Sequence, residues 1–435
     1  MSRVVFFCML AVAGAFLPAV SAQMTASAND QNLTADELAV NAKSLYTQGK
    51  YADAAALYRK FIGEYGAAKE AREAVRQMRY PFAMALLQLQ KFPEAEEAID
   101  AALKNDPAVE AHLRQELVFW KAVCQMQDKD YAAAGRTLEQ FLAQFPAGAE
   151  RNPSYAKQFP AIQKIPEARM LIGTCLLLDE KYREAAAYFA EIPSALPPAD
   201  RGRATVLELY ARLEAGEDDR AMDLVAAEYP RMGELLQLIT FQTLTLELGS
   251  RYLEKQELRK AIICLQRIWT AERLLKHQEA RLSDLESRLQ AASANPAADP
   301  YAKLLYGQMI AKVKREIESF RKIENFDSAL RLRLATAYQG MQRYRESALI
   351  MEAMLNEMPP DKLVESASVN LVQSWNQIER WPKAIEAART FAAKFPQSES
   401  LPLVMYLQGV AEQKSLRQDE AVATFDAVTK KFPDS

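Results

Sequence analysis

Small and apolar residues recur along this chain at fixed internal spacings. A small residue is followed twelve positions later by a proline six times, at Ala95/Pro107, Ala134/Pro146, Ala185/Pro197, Ser347/Pro359, Ala384/Pro396 and Ala421/Pro433. Twelve positions before nearly every one of these small residues stands another, at Ala83, Ala122, Gly173, Ala335 and Gly409, with Val372 before Ala384 as the exception. Ala42/Ala54 and Gly249/Ala261 keep the small pair without the proline. An aromatic lies three positions before most of the second small residues: Tyr51, Phe92, Tyr131, Tyr182, Tyr344 and Trp381. A large residue lies four positions after them, at Tyr58, Ile99, Leu138, Phe189, Leu265, Met351 and Phe425, with Ala388 as the exception. Steps of three and four share one helix face. Two helices cross closely where neither carries bulk, and proline ends a helix because it lacks a donor and clashes with the preceding turn. The pattern predicts stacked helical hairpins, with the paired small residues at the crossings and the aromatic opening each second helix.

Units are expected at about 35–66, 76–107, 115–146 and 166–197, with an inserted loop at 147–165 whose prolines oppose helix. A degenerate unit follows at 202–231, with Gly216 at its turn and Pro230 at its stop, and a sixth unit runs over 233–270. The second helix of that sixth unit is expected to continue through AERLLKHQEARLSDLESRLQ, where Ile268, Leu275, Leu282 and Leu289 recur every seven residues. ASANPAADP (292–300) breaks it, and a return helix carries Tyr306, Met309, Val313, Ile317 and Phe320 at three- and four-residue steps. Residues 271–325 therefore read as a coiled-coil-like antiparallel hairpin projecting between repeats at 35–270 and repeats at 326–435. The last three units are expected at 328–359, 366–396 and 403–433.

The N-terminus changes the picture. Arg3, the apolar stretch Val4–Leu17 and the small-residue site Val20-Ser21-Ala22 read as a secretory leader cleaved after Ala22. The apolar stretch is shorter than the roughly 20 residues a spanning helix needs. Residues 23–34 form a polar lead expected to be disordered. The expected location is therefore periplasmic or otherwise exported. Bulky residues before Cys8 argue against lipidation there. Cys124 and Cys175 fall two residues after Ala122 and Gly173, at equivalent places on successive first helices. Such helices lie about a helix diameter apart, too far for a disulfide, so buried free thiols are expected.

Half the residues are apolar and 14 are glycine, which suits a helical protein, and a net charge of −3 disfavours nucleic acid as a partner. No catalytic motif, metal-ligand spacing or phosphate-binding loop is present, so no cofactor, metal or catalytic residue is expected. His112 and His277 read as solvated side chains on surface-type helices.

The small pairs, the A-x-x-x-F step and the closing proline resemble the tetratricopeptide repeat. Units ending in Phe-Pro, at 141–146, 391–396 and 431–435, are similar to the secreted bacterial branch. That branch includes the repeat lipoprotein of the outer-membrane protein assembly machine and the coordinator of the Tol–Pal system. The resemblance implies an all-α fold: a right-handed superhelix of about nine helical hairpins. It also implies a concave face lined by first helices. Carried over by register, that face includes Tyr46, Tyr80, Met84, Leu87, Phe119, Val123, Met126, Met170, Leu177 and Leu178, with Val369, Gln373, Tyr406 and Val410 nearer the C-terminus. These residues either bind an apolar or amphipathic partner segment or pack on neighbouring helices. The family's basic clamp for C-terminal carboxylates is absent. Lys43 is present, but later units carry Met84, Val123, Thr174, Gln373 and Val410 at the equivalent places.

The expected function is a non-catalytic scaffold that binds protein or peptide segments. The resemblance places it in the bacterial cell envelope, with a peripheral association to an outer-membrane complex. The alternative is an accessory region of a larger enzyme or secretion system, the remainder lying beyond residue 435.

Overall fold

The computed structural model describes residues 34–105, 111–146, 149, 159–192, 196, 198–294 and 300–432. The expected leader, most of the polar lead, most of the 147–165 insertion and the tip of the 271–325 hairpin lie outside the described residues. Those that are described form twenty α-helices and two short 3-10 helices, with no strand. No described helix is long and apolar enough to cross a membrane. The chain divides into two compact units, residues 1–211 and 212–435.

The first unit holds α1 (Ala35–Thr47), α2 (Tyr51–Tyr65), α3 (Arg72–Gln88), α4 (Phe92–Asn105), α5 (Ala111–Gln127), α6 (Tyr131–Leu142), α7 (Ile165–Leu178) and α8 (Tyr182–Glu191). A 3-10 turn at Pro160–Lys164 leads into α7, inside the segment expected to be loop. The boundary falls within α9 (Pro198–Glu214). The second unit continues with α10 (Asp218–Glu228), a 3-10 turn at Tyr229–Glu234, α11 (Leu238–Glu254), α12 (Leu258–Leu265), α13 (Ala271–Ala294) and α14 (Pro300–Phe320). It ends with α15 (Phe326–Gly340), α16 (Tyr344–Glu357), α17 (Lys362–Gln377), α18 (Trp381–Lys394), α19 (Leu401–Lys414) and α20 (Gln418–Lys431).

Local sequence explains these bounds. The six aromatics expected to open second helices are the first residues of α2, α4, α6, α8, α16 and α18. Helices α4, α16, α18 and α20 each end two residues before the proline at 107, 359, 396 or 433. A residue before proline is pushed out of the helical region, so the helix stops there. Every second-helix small residue from Ala54 to Ala421 is buried. Where the second-helix residue is Ser347, its hydroxyl donates to the Ala335 carbonyl at 2.8 Å, twelve positions back across the crossing. Thr137 to Gln125 (2.8 Å) and Thr424 to Glu412 (2.7 Å) span the same twelve residues in other hairpins.

The first-helix glycines show what fills the crossing. A Cβ added at Gly173, Gly249 or Gly409 would fall 2.4–2.6 Å from a side-chain atom of Phe189, Leu265 or Phe425. Each of these is the large residue four after the second-helix small position. The small first-helix residue thus makes room for a large second-helix side chain, rather than meeting another small residue alone.

Each of the nine described repeat turns uses a left-handed residue five positions before the second-helix small residue. These are Gly49, Gln90, Lys129, Glu180, Gly216, Gln256, Gln342, Glu379 and Leu416, with φ between +57° and +76°. Glycine tolerates this conformation freely, whereas the others bear a steric cost from Cβ. The constant offset keeps one register through nine turns, although the sequence spacing between units varies.

The sixth hairpin's second helix does not continue into the long helix as expected. Helix α12 ends at Leu265, and Gln266–Thr270 turn the chain before α13. The break has specific causes. Buried Gln242 accepts from the Trp269 N–H at 2.7 Å, Asp327 accepts from the Ala271 N–H at 2.8 Å, and the Thr270 carbonyl accepts from the Leu274 N–H at 3.0 Å to start a new helix. Stacking then passes from α11 and α12 directly to α15, without α13 and α14. The Arg333 Nε donates to Ser250 Oγ at 2.7 Å, Gln266 Nε2 donates to the Tyr338 hydroxyl at 2.6 Å, and Leu258 packs at Gly340.

Helices α13 and α14 pack along each other through Leu275, Leu282, Leu285 and Leu289 on one side and Tyr306, Met309, Ile310, Val313 and Ile317 on the other. They do not pack solely on each other. Leu236 joins their apolar cluster, and a polar network ties the base of the pair to residues 233–240. Glu316 accepts from the Thr240 N–H (2.7 Å), the Thr240 hydroxyl (2.8 Å) and Gln278 Nε2 (2.5 Å). The fully buried Gln278 also donates to the Leu236 carbonyl at 2.9 Å, and Arg281 donates to the carbonyls of Gly233 and Leu235. His277 belongs to the same anchor, which corrects the reading of it as a solvated surface side chain. Its Nε2 lies 2.9 Å from the Gly233 carbonyl, and its ring meets Trp269 edge-on at 5.4 Å. The side chain of His112 lies outside what the structure describes.

Candidate partner-binding surface

The residues expected to line a partner-binding face lie on first helices, but most are core. Leu87, Phe119, Met170 and Leu177 are at most 2% exposed, and Met84, Val123 and Met126 are also buried. Phe119 meets Phe141 of α6 edge-on at 5.5 Å, so its ring closes the third hairpin. Successive first helices come close enough that an apolar side chain on this face is covered by its neighbours. Tyr46 and Tyr80 keep part of their surface.

Around these two tyrosines the first unit assembles an aromatic and charged cluster. Tyr46, near the end of α1, meets Tyr51 of α2 edge-on at 5.4 Å. Tyr80 of α3 donates its phenol to Glu116 of α5 at 2.9 Å, and the indole N–H of Trp120, one turn along α5, donates to the other oxygen of that carboxylate at 3.4 Å. Lys164, which ends the 3-10 turn before α7, places its ammonium 5.0 Å from the centre of the Phe119 ring and 4.6 Å from that of Trp120. Four successive first-helix segments thus contribute Tyr46, Tyr80, Glu116 with Trp120, and Lys164.

Burial, and then the Glu116 charge, push the Tyr80 phenol well above its ordinary value. It stays protonated and acts as a donor. Burial first, then Tyr51 and Glu116, also raise Tyr46. Phe119 and Trp120 are themselves buried, so what a partner can meet here is the half-buried Glu116 carboxylate, the Lys164 ammonium and the partly exposed Tyr46 and Tyr80.

Glu116, Trp120 and Lys164 were not singled out in the sequence. Glu116 and Trp120 lie four apart on one helix face, a spacing that was readable. Lys164 falls in the segment taken as loop. In the second unit, Val369, Gln373 and Val410 are partly exposed, and Tyr406 is exposed.

Cys124, Cys175 and Cys264 are buried, unpaired thiols, each pushed up to about 12 by burial. Among the described residues, no group of three or more His, Cys, Asp or Glu side chains could hold a metal ion.

Residues 80–149 and 403–435 match family models described as tetratricopeptide repeat. These two stretches carry tetratricopeptide repeats. The first match runs from the second half of α3 through α6, including Tyr80, Glu116 and Trp120; the second takes in most of α19 and all of α20. No curated protein matches the chain. Among solved structures it is similar to one of Naa15/Naa10 bound to HypK-THB, at 17% identity and a TM-score of 0.36, over 92% of this chain and 59% of that one. It is also similar to the APC/C hetero-tetramer Cut9–Hcn1, at 12% identity and a TM-score of 0.34, over 92% and 88% of the two chains. A third is the TPR domain of P58(IPK), at 14% identity and a TM-score of 0.27, over 88% and 99%. The chain thus spans less than two thirds of the first of these. Repeats of this kind support a role in protein–protein interaction.

Proposed function

We propose that this tetratricopeptide protein is a non-catalytic scaffold of the bacterial cell envelope that captures a partner segment over the aromatic cluster of its first unit. The observation that carries the binding site is the Tyr80–Glu116–Trp120 group with Tyr46 and Lys164 beside it. Elsewhere on the expected face of the first unit, Met84, Leu87, Phe119, Val123, Met126, Met170 and Leu177 are consumed by packing. The envelope location rests on the leader-like residues 1–22 and on the Phe-Pro unit endings. The partner is a protein segment with an apolar side chain for the rings and backbone groups for Glu116 and Tyr80. The outer membrane is met peripherally, through that partner.

Two measurements test this reading. Mass spectrometry of the exported protein should find Gln23 as its first residue, and retention of Met1 contradicts the location. Affinity capture from an envelope fraction should recover a discrete partner with the native chain and lose it with Tyr46→Ala combined with Glu116→Lys. Equal recovery by that variant, with an unchanged melt, contradicts the site.

A further inference from the structure

Within the second unit, a tyrosine, a carboxylate and a lysine close on one another. The Tyr252 hydroxyl donates to Asp219 at 2.8 Å. Lys260 donates to the same carboxylate at 2.7 Å and holds its ammonium 5.3 Å from the centre of the Tyr252 ring. Ring face and carboxylate both attract the cation. Lys383 repeats part of this arrangement, 4.7 Å from the centre of the Trp375 ring and 3.0 Å from Glu352.

The first unit holds the tyrosine and the carboxylate of such a triad without the cation. Tyr80 donates to one oxygen of Glu116 at 2.9 Å, and buried Trp120 donates to the other at 3.4 Å. Both donors are neutral. A carboxylate offers about four acceptor sites, so each oxygen has one left. Among the described residues, no lysine or arginine forms an ion pair with Glu116 or lies over the rings of Tyr46 and Tyr80. Lys164 is engaged elsewhere, its ammonium over the Phe119 and Trp120 rings. Tyr46 stands close enough to feel the Glu116 charge. Glu116, Tyr46 and Tyr80 are all half-buried, so the carboxylate is reachable yet partly shielded from water. An opposite charge gains more there than on an open surface.

We propose that the captured segment carries a lysine or arginine, its stem laid on the Tyr46 and Tyr80 rings and its charged head paired with Glu116. This rests on the partner-capture reading and deepens it by naming the side chain the site selects. The methylenes of the stem supply the apolar contact. The head supplies what Lys260 supplies to Tyr252 and Asp219.

The test is selection from a library of short peptides with blocked termini, using the immobilised full chain as bait. The central position is lysine, arginine, norleucine or glutamate in equal amounts, and all other positions are uncharged residues. The native chain should retain lysine and arginine peptides about tenfold over norleucine peptides, as one charge-assisted pair supplies. Glutamate peptides should be depleted. Glu116→Gln should remove the preference with an unchanged helical melt, because its carbonyl still accepts from Tyr80 and Trp120. Lys164→Gln should not weaken it. Equal retention of lysine and norleucine peptides overturns the proposal, as does a lysine preference that survives Glu116→Gln. So does enrichment of glutamate peptides that Lys164→Gln abolishes. If peptides bind without central preference and are lost with Tyr46→Ala, the capture site stands and the basic side chain alone is refuted. Peptides retained equally by Tyr46→Ala refute both readings. A library from which nothing is retained also overturns the proposal, while affinity capture of the native partner still decides the site itself.

Discussion

Gly173 and Gly63 both lie inside helices, yet a methyl group should affect them in opposite ways. At Gly173, itself buried, the added Cβ would meet the Phe189 ring at 2.4 Å. At Gly63, in α2, it would meet nothing within 4 Å. Gly173→Ala should therefore cost about 1–3 kcal/mol by overpacking. Gly63→Ala should add about 0.5–1 kcal/mol through helix propensity. Denaturant unfolding of the two variants checks the pair, and a neutral Gly173→Ala contradicts the packing described for the hairpin crossing. This scale also marks where the sequence was and was not legible. The small positions and the large residue four places on were visible as spacing. The left-handed turns were visible only at Gly49 and Gly216, because Gln90, Lys129, Glu180, Gln256, Gln342, Glu379 and Leu416 carry no local preference for positive φ. Their conformation is imposed by the two helices they join.

Among the elements, the inserted pair α13 and α14 offers the sharpest contrasts. Its apolar register was legible, since Leu275, Leu282, Leu289, Tyr306, Met309, Val313 and Ile317 all meet in one cluster. The turn at 266–270 and the polar anchor were not legible, because they depend on Gln242, Asp327 and Thr240, far away in sequence. As α11 and α12 stack on α15 directly, replacing residues 271–322 by a short flexible linker should leave the repeats with a cooperative helical melt. Loss of that melt would make the pair a structural part of the stack. The anchor should also titrate. Burial pushes the Glu316 carboxyl above its ordinary value of 4.5, against the donors of Thr240 and Gln278. Between 4.5 and the raised value, the folded state therefore binds more protons than the unfolded state. Stability contributed by this group falls as pH rises through that window and is flat above it. Glu316→Gln removes the slope. The melting temperature of the native protein should decline relative to Glu316→Gln as pH is raised through the window, whereas a constant difference contradicts the assignment.

For the whole molecule, the repeat pattern located the hairpins but not the binding face. Position on a first helix was a sound guide to direction and a poor guide to exposure. Leu87, Phe119, Met170 and Leu177 stand where a partner was expected, yet neighbouring helices already cover them. What remains partly accessible is defined by groups that no single-unit register predicts: the Glu116 carboxylate, held by Tyr80 and by buried Trp120, and the Lys164 ammonium above the buried Phe119 and Trp120 rings. Site-specific photo-crosslinking in the exporting cell tests the central claim most directly. A photo-reactive residue in place of Tyr46, or of Tyr80, should trap one discrete protein partner. The same residue in place of Glu64, exposed on α2, should trap none. Equal trapping from all three positions, or trapping from Glu64 alone, would contradict the account.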